Sequence, residues 1–484
     1  MNLAQTVPTF VGFNVYLKST FCMKRIFISV FLSAGTLFTA FSQESSSITD
    51  SMLEQFRLSF EKDQNNEALQ NAASSNDIHK LALDRENLAN LDTYFSNRVE
   101  SAGITDQKST GRCWLFTGLN VFRAKVIEEK NLGNFSFSHN FNFFYDQLEK
   151  ANLFLEGMIS TIDKPLDDKR VEWLFQNAIG DGGQWTGVVD IIGKYGLVPA
   201  EVFPESQNSE NTAWMSRLIR RKLRGDGMEL RNMASSGKNE KALRERKNEM
   251  LSEVYKILAI TLGEPPSLFQ WRYKDKDGNL SELKFYTPKS FYDEFVGADL
   301  SDYVMFMNDP SRPFGQLYEI DYDRHMIDGG NWKYINLEAE KIKEFAKNSI
   351  LGNEAMYFSC DVGKQLNKDN GTLDVNNYNY NALFGVNFDM TKAERIETYE
   401  SGSTHGMALV AVDIEGGKTV KWLLENSWGN TGFEGHLIMT DEWFSEYMFR
   451  LVINKKYIDP ETLKILEQTP VMLPPWDPMF SQDQ

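Results

Sequence analysis

The run Asp106-Gln107-Lys108-Ser109-Thr110-Gly111-Arg112-Cys113-Trp114-Leu115-Phe116 sets a cysteine at the entrance of an apolar helix. After Cys113, the residues Leu115, Leu119, Phe122 and Val126 recur at helical spacing, so a helix starts at or near the cysteine. Gly111 breaks regular structure just before it. The fold must bury that helix with a thiol at its positive end, where the macrodipole favours thiolate over thiol. Thiolate is the reactive form, so the placement suggests a nucleophile. The competing reading is a buried small hydrophobe, which most free cysteines are. The rest of the chain decides between the two.

The chain has 484 residues, 42% of them hydrophobic and 25% charged, enough for a full core in one large or two to three ordinary domains. A net charge of −17 gives no general attraction for nucleic acid. Residues 1–42 read as an export signal: Lys24-Arg25, then a mostly apolar run from Ile26 to Phe41, then Ala40-Phe41-Ser42 as a cleavage site. The run is too short for a comfortable membrane span, so no stable span is expected once it is removed. Met23 is an alternative start, and a buried N-terminal helix is the alternative to a signal. The localisation expected is periplasmic or secreted, and cytoplasmic if the signal is misread.

Of three cysteines, Cys22 leaves with the signal, and Cys113 and Cys360 make no disulfide scaffold. A bridge between those two stays open and would silence a catalytic thiol. The five histidines are scattered without metal-ligand spacing, and neither a metal nor a cofactor is expected.

Residues 43–100 read as a polar, helical lead-in with helical patches around Leu81 to Phe95, and 101–204 as a helix-rich segment. Asp181-Gly182-Gly183-Gln184-Trp185 is a turn opening a helix to Tyr195, stopped by Gly196 and Pro199. Residues 205–300 read as a helical insertion with a basic cluster, Arg217, Arg220, Arg221, Lys222 and Arg224, taken as a solvated face. Phe269 to Phe285 reads as a hairpin turning at Asp277-Gly278. Residues 301–470 are β-rich: Met407–Val412, Val420–Leu424, Gly435–Met439 and Leu451–Ile453 predict an antiparallel meander.

That meander joins chemistry to Cys113. His405 precedes its first strand, and Asn426, 21 residues later, follows the second, so a hairpin brings both to one end. An Asn accepting a hydrogen bond from one imidazole nitrogen fixes the tautomer and aims the other nitrogen at a nucleophile. Trp428 shields that bond. Gln107, six residues before Cys113, supplies an amide donor for an oxyanion, with the Cys113 N–H as its partner.

The order Gln–Cys–His–Asn, with Cys-Trp and Asn-Ser-Trp-Gly, resembles the papain-like cysteine peptidases. His405 lies 292 residues after Cys113, about twice the usual papain gap, and Gly111-Arg112 stands before the cysteine. Both features are similar to the bleomycin hydrolase (aminopeptidase C) branch. So are Asn308-Asp309-Pro310, Cys360-Asp361-Val362-Gly363-Lys364, Lys392-Ala393-Glu394-Arg395, Thr440 to Tyr447 and Leu473 to Met479. The resemblance implies an α+β, papain-like fold of two subdomains with a large helical insertion, catalytic Cys113, His405, Asn426 and Gln107, and a homohexamer. It implies that residues 471–484 form an arm in the cleft, where Asp483 and the terminal carboxylate of Gln484 hold the α-amino group of peptides with free N-termini. The tail here is more polar and acidic than is typical, and Gly406 replaces the usual Ala after the histidine. A thiol acyltransferase or transglutaminase-like enzyme, and a catalytically idle scaffold, are the other functional classes. Asn426 in place of Asp argues against the first, and the intact set of four residues against the second.

Overall fold

The computed structural model describes residues 46–61, 66–90, 92–99 and 103–480; the signal at 1–42 and the arm's last residues, Asp483 and Gln484 among them, lie outside these. Two compact units divide the chain at Ser75. In the first, helices Asp50–Glu61 and Asn66–Ser75 carry exposed Met52, Leu53, Phe56, Leu58 and Phe60. Residues 81–95, expected to hold helical patches, contain only the end of a single turn, Ile78–Leu81, and a 3-10 turn, Asn87–Asn90. Asp84 accounts for the difference: its carboxylate accepts from the N–H groups of Glu86 and Asn87, a local bond that competes with a continuing helix.

The second unit is α+β. Its helical part holds Cys113–Glu129, His139–Ser160, Trp185–Tyr195, Ala213–Ser235 and Glu240–Leu262. The Cys113–Glu129 helix is buried on nearly every side, as a helix apolar all round must be. The last two helices share one apolar core with the others through Met215, Ile219, Leu223, Met250, Val254 and Leu258. The hairpin pairs Phe269–Trp271 with Lys284–Tyr286, and Gly278 turns it at φ +84°.

The sheet has twelve strands among the described residues. Along it run Val471–Leu473, Gln316–Ile320, Lys333–Asn336, Tyr303–Met307, Met448–Asn454, Met356–Cys360, His405–Glu415, Lys418–Glu425 and His436–Thr440, with two short strands beyond and a twelfth, Asn97–Arg98, paired to His405–Glu415 off this path. His405–Glu415, Lys418–Glu425 and His436–Thr440 form the expected meander. Met448–Asn454 does not extend it. The helix Asp441–Tyr447 carries the chain across to pair with Met356–Cys360 and Tyr303–Met307. The sheet is mixed, with parallel pairs such as Tyr303–Met307 with Lys333–Asn336.

Alternation along the central strands explains their apolar runs. Tyr357, Phe449 and Val452 enter the core shared with the helices. Phe358, Leu451 and Ile453 enter a second core with Ile342, Phe345 and Ile350. A sheet buried on both faces reads as continuous rather than alternating hydrophobicity.

One ion pair crosses from helix to sheet. Arg123 Nη2 donates to Glu425 Oε1 at 2.8 Å, and both side chains are almost wholly buried. Burial works against the Arg123 charge and Glu425 works for it. Arg123→Met therefore leaves a buried carboxylate unpaired and should cost about 3–5 kcal/mol in urea unfolding. Adding Glu425→Leu should recover part of that loss. Additive losses in the double variant would mean the two side chains do not act as a pair.

Candidate active site

Cys113 is the first residue of its helix and is partly exposed. Arg112 before it supplies no side-chain cap. Its side chain turns inward instead, fully buried, with Nη1 2.9 Å from Glu205 and the guanidinium over the rings of Phe116 and Phe143. The Gly-Arg that precedes the cysteine is thus a buried clamp on the helix entrance.

His405 opens its strand opposite Cys360. At the next residue, Gly406, a Cβ would lie 3.3 Å from Thr117 Oγ1. Thr117 sits one turn after Cys113 on the same helix face, so helix and strand bring Cys113 and His405 to one end of their contact. The His405 ring is buried, stacks on Trp428 at 4.7 Å, and places Nε2 2.8 Å from Asn426 Oδ1. Asn426 Oδ1 also accepts from the Ser427 N–H at 2.7 Å. An oxygen in that position assigns the His405 proton to Nε2 and leaves Nδ1 as the basic nitrogen. Burial pushes His405 down from its ordinary value to about 4, against the opposing pull of the Asn426 bond.

Gln107 arrives on an extended segment docked along the residues after Asn426. The Gln107 N–H donates to Ser427 O at 2.8 Å, and the Gly429 N–H to Thr105 O at 3.0 Å. Its side-chain amide is fixed at both ends: Oε1 accepts from the Ser427 hydroxyl at 2.6 Å, and Nε2 donates to Thr110 O at 2.6 Å. One amide hydrogen remains for another acceptor.

Beside the Cys113 helix lies a wall that the sequence marks by its Asp181-to-Trp185 turn. The 179–184 loop is held by its carbonyls: Trp114 Nε1 donates to Asp181 O at 2.9 Å, Lys150 to Gly182 O at 2.6 Å, and Gln147 to Gly180 O at 2.8 Å. His325 stands edge-on to Trp114 at 4.7 Å and pairs with buried Asp146 at 2.5 Å, which also binds Lys150. These partners come from three distant segments. The only sequence signal was an unexplained histidine and the Gly-Gly turn.

Cys360 is a free, fully buried thiol; burial pushes it well up, with Asp361 and Cys113 adding to the effect. The arm is ordered as far as it is described. Asp477 receives Arg312 Nη2 at 2.8 and 3.0 Å, and Met479 and Phe480 are buried. Phe480 and Pro475 line a cavity of about 260 Å³ together with Gly182, Gly183, Gln184 and His325. Among the described residues, one acidic cluster, Asp92, Asp413 and Glu415, has the spacing of metal ligands. Lys421 already neutralises two of its members. No helix among the described residues is long and apolar enough to cross a membrane.

Known proteins share this arrangement of chain. Residues 47–480 match the Peptidase C1-like family. The chain is 37% identical to aminopeptidase C of Lactobacillus delbrueckii subsp. lactis, over 84% of its length and 92% of that protein. It is 39% identical to bleomycin hydrolase of Rattus norvegicus, over 85% and 93%. The crystal structure of PepW from Lactobacillus rhamnosis superposes with a TM-score of 0.87 at 35% identity, covering 90% of this chain and 99% of that one. The α+β fold is papain-like, and the chain belongs to the Peptidase C1-like family.

Proposed function

We propose that the chain is a cysteine aminopeptidase that removes residues from the free N-termini of peptides. Its nucleophile is Cys113, His405 is the base and acid, Asn426 orients His405, and Gln107 with the Cys113 N–H binds the oxyanion. The observation that carries this reading is the His405 Nε2 to Asn426 Oδ1 bond of 2.8 Å under Trp428, which leaves Nδ1 for a thiol.

The chemistry is acyl transfer. His405 Nδ1 takes the Cys113 proton, and the thiolate–imidazolium pair attacks the peptide carbonyl. The sulfur–carbon bond forms, and negative charge collects on the carbonyl oxygen within reach of the free Gln107 amide hydrogen. Collapse breaks the carbon–nitrogen bond, and the imidazolium gives its proton to the leaving amine. His405 then takes a proton from water, which cleaves the thioester and restores the thiol.

The arm supports the exopeptidase reading. Asp477, Met479 and Phe480 bring the chain to the cavity beside Gly182 and Gly183, four residues before its end. A carboxylate at Gln484, aided by Asp483, would face the substrate ammonium and select free N-termini. The remaining parts of the reading are an export signal at 1–42, the helical insertion at 205–300, and a homohexamer.

Cys113→Ala should abolish Cys-dependent release of aminoacyl fluorophores under reducing conditions; equal rates in variant and wild type would sink the peptidase reading. Gln107→Ala should lower kcat by about 10²–10³. The acid limb of kcat/KM should follow His405: the base is neutral above its pKa and lost below it, so the rate holds until pH falls to about 4. A limb centred at an ordinary imidazole value would show that water reaches the ring. Deleting residues 481–484 should convert stepwise N-terminal release on a defined peptide into internal cuts, and an unchanged product pattern would refute the arm's role.

A further inference from the structure

The 179–184 loop contributes to two cavities, with Arg220 lining both. The arm enters the first, through Phe480. The second, of about 400 Å³, lies between the Ser109–Gly111 turn, Asp181 and the first turns of the Ala213–Ser235 helix. Its floor touches the nucleophile's own loop. Gly111, whose carbonyl lies 3.9 Å from Cys113 Sγ, donates its N–H to Asp181 Oδ2 at 2.8 Å. A Cβ on Gly111 would stand 2.5 Å from Asp181 Oδ1, so the two walls meet there.

The far wall is built for an anion. Arg217 and Arg220 line it, one turn apart on the helix, and neither has a carboxylate partner among the described residues. Of the nearby cations, Lys222, Arg244, Arg246 and Lys247 are paired with Asp or Glu, whereas Arg224 on the same helix bonds backbone carbonyls. Arg220 is oriented by its Nε bond to Ile179 O at 3.0 Å. Arg217 lies over the Trp214 ring at 4.7 Å. Ser216, 7% exposed, lines the same cavity with a buried hydroxyl that has no hydrogen-bond partner. Such a group costs free energy unless a ligand satisfies it. The helix N-terminus also opens here: Thr212 gives it no side-chain cap and bonds Asp181 instead, so the positive end of a 23-residue helix faces the cavity. Asp181 is the cavity's own carboxylate, and Gly111 and Thr212 already engage its Oδ2.

We propose that this cavity receives the side chain of the substrate's N-terminal residue, and that Ser216, Arg217 and Arg220 select there for a carboxylate, as in glutamate or aspartate. The assignment rests on the aminopeptidase reading. In that reading the attacked carbonyl lies over Cys113 Sγ, and Gly111, whose carbonyl is 3.9 Å from that sulfur, is part of this cavity's wall, so the side chain one carbon away reaches it. The chain's net charge of −17 opposes anions at long range, so the preference has to arise from these local donors.

The test compares kcat/KM of the purified full chain for glutamyl, glutaminyl, leucyl and lysyl coumarin amides under reducing conditions. Glutamyl should exceed glutaminyl by roughly tenfold or more, the scale of a charge-assisted hydrogen bond. Arg217→Gln and Arg220→Gln should each collapse that ratio, and Arg217→Glu should turn it towards lysyl. Arg217 holds no backbone group, so its variants remain informative if Arg220→Gln disturbs the loop. Cys113-dependent turnover with a glutamyl to glutaminyl ratio near one, or a ratio unmoved by both Arg217 variants, overturns the assignment alone. Absence of Cys113-dependent turnover on all four substrates overturns the aminopeptidase reading and this assignment with it.

Discussion

Two backbone hydrogen bonds join what the chain order separates: Gln107 N–H to Ser427 O, and Gly429 N–H to Thr105 O. They splice the turn before the Cys113 helix onto the turn after the Lys418–Glu425 strand. Everything polar in the site depends on that splice. It sets the Gln107 amide against Ser427, and the same Ser427 fixes Asn426 through its N–H, so one residue aligns both the proposed oxyanion donor and the proposed orienter of His405. Deeper along the same contact, Arg123 and Glu425 repeat the connection with charge. Helix and strand are held at one register, which Gly406 against Thr117 marks near the Cys113 and His405 ends.

Burial sharpens this geometry at an electrostatic cost. His405, Asn426 and Gln107 are nearly inaccessible, and Trp428 covers the imidazole. In that setting a charged imidazole is disfavoured, so the resting ring is neutral and holds a proton less tightly than a free imidazole does. The imidazolium formed during attack has the new thiolate as its counter-charge, and the low local dielectric strengthens that pairing. A well-solvated histidine would be the stronger base but would lose that strengthening.

Much of this was readable in the sequence because it is carried by short-range pattern. The helix after Cys113 follows from Leu115, Leu119, Phe122 and Val126, and a 21-residue hairpin fixes the relation of His405 to Asn426. What failed depends on competition that hydrophobic spacing does not register, local in one case and long-range in the others. Residues 81–95 lost their helical patches to the Asp84 side chain, and Met448–Asn454 left the meander because an intervening helix moved it to the far side of Met356–Cys360. The His325, Asp146 and Lys150 support under Trp114 was hidden because no local spacing links residues 114 and 325 to the i,i+4 pair Asp146 and Lys150. Arg112 was legible only as a departure from a motif, and its role as a buried clamp required Glu205 and Phe143 to be seen beside it.

That clamp bears on reactivity. A helix leaves its first N–H groups without partners, and most helices satisfy one with a side-chain cap. Here Arg112 occupies the cap position, contributes no acceptor, and sends its cation inward to Glu205. An acidic or hydroxyl cap would consume a first-turn donor and place an acceptor beside the sulfur. Its absence leaves the helix's positive end available to the two anions the reaction creates, the thiolate and the oxyanion. Fixed donors of this kind stabilise developing charge without reorganising. The fully buried guanidinium stands one residue from the sulfur, its charge held against burial by Glu205, with Asp181 and Glu210 contributing. An arginine before the cysteine thus does by structure and charge together what a capping side chain would undo.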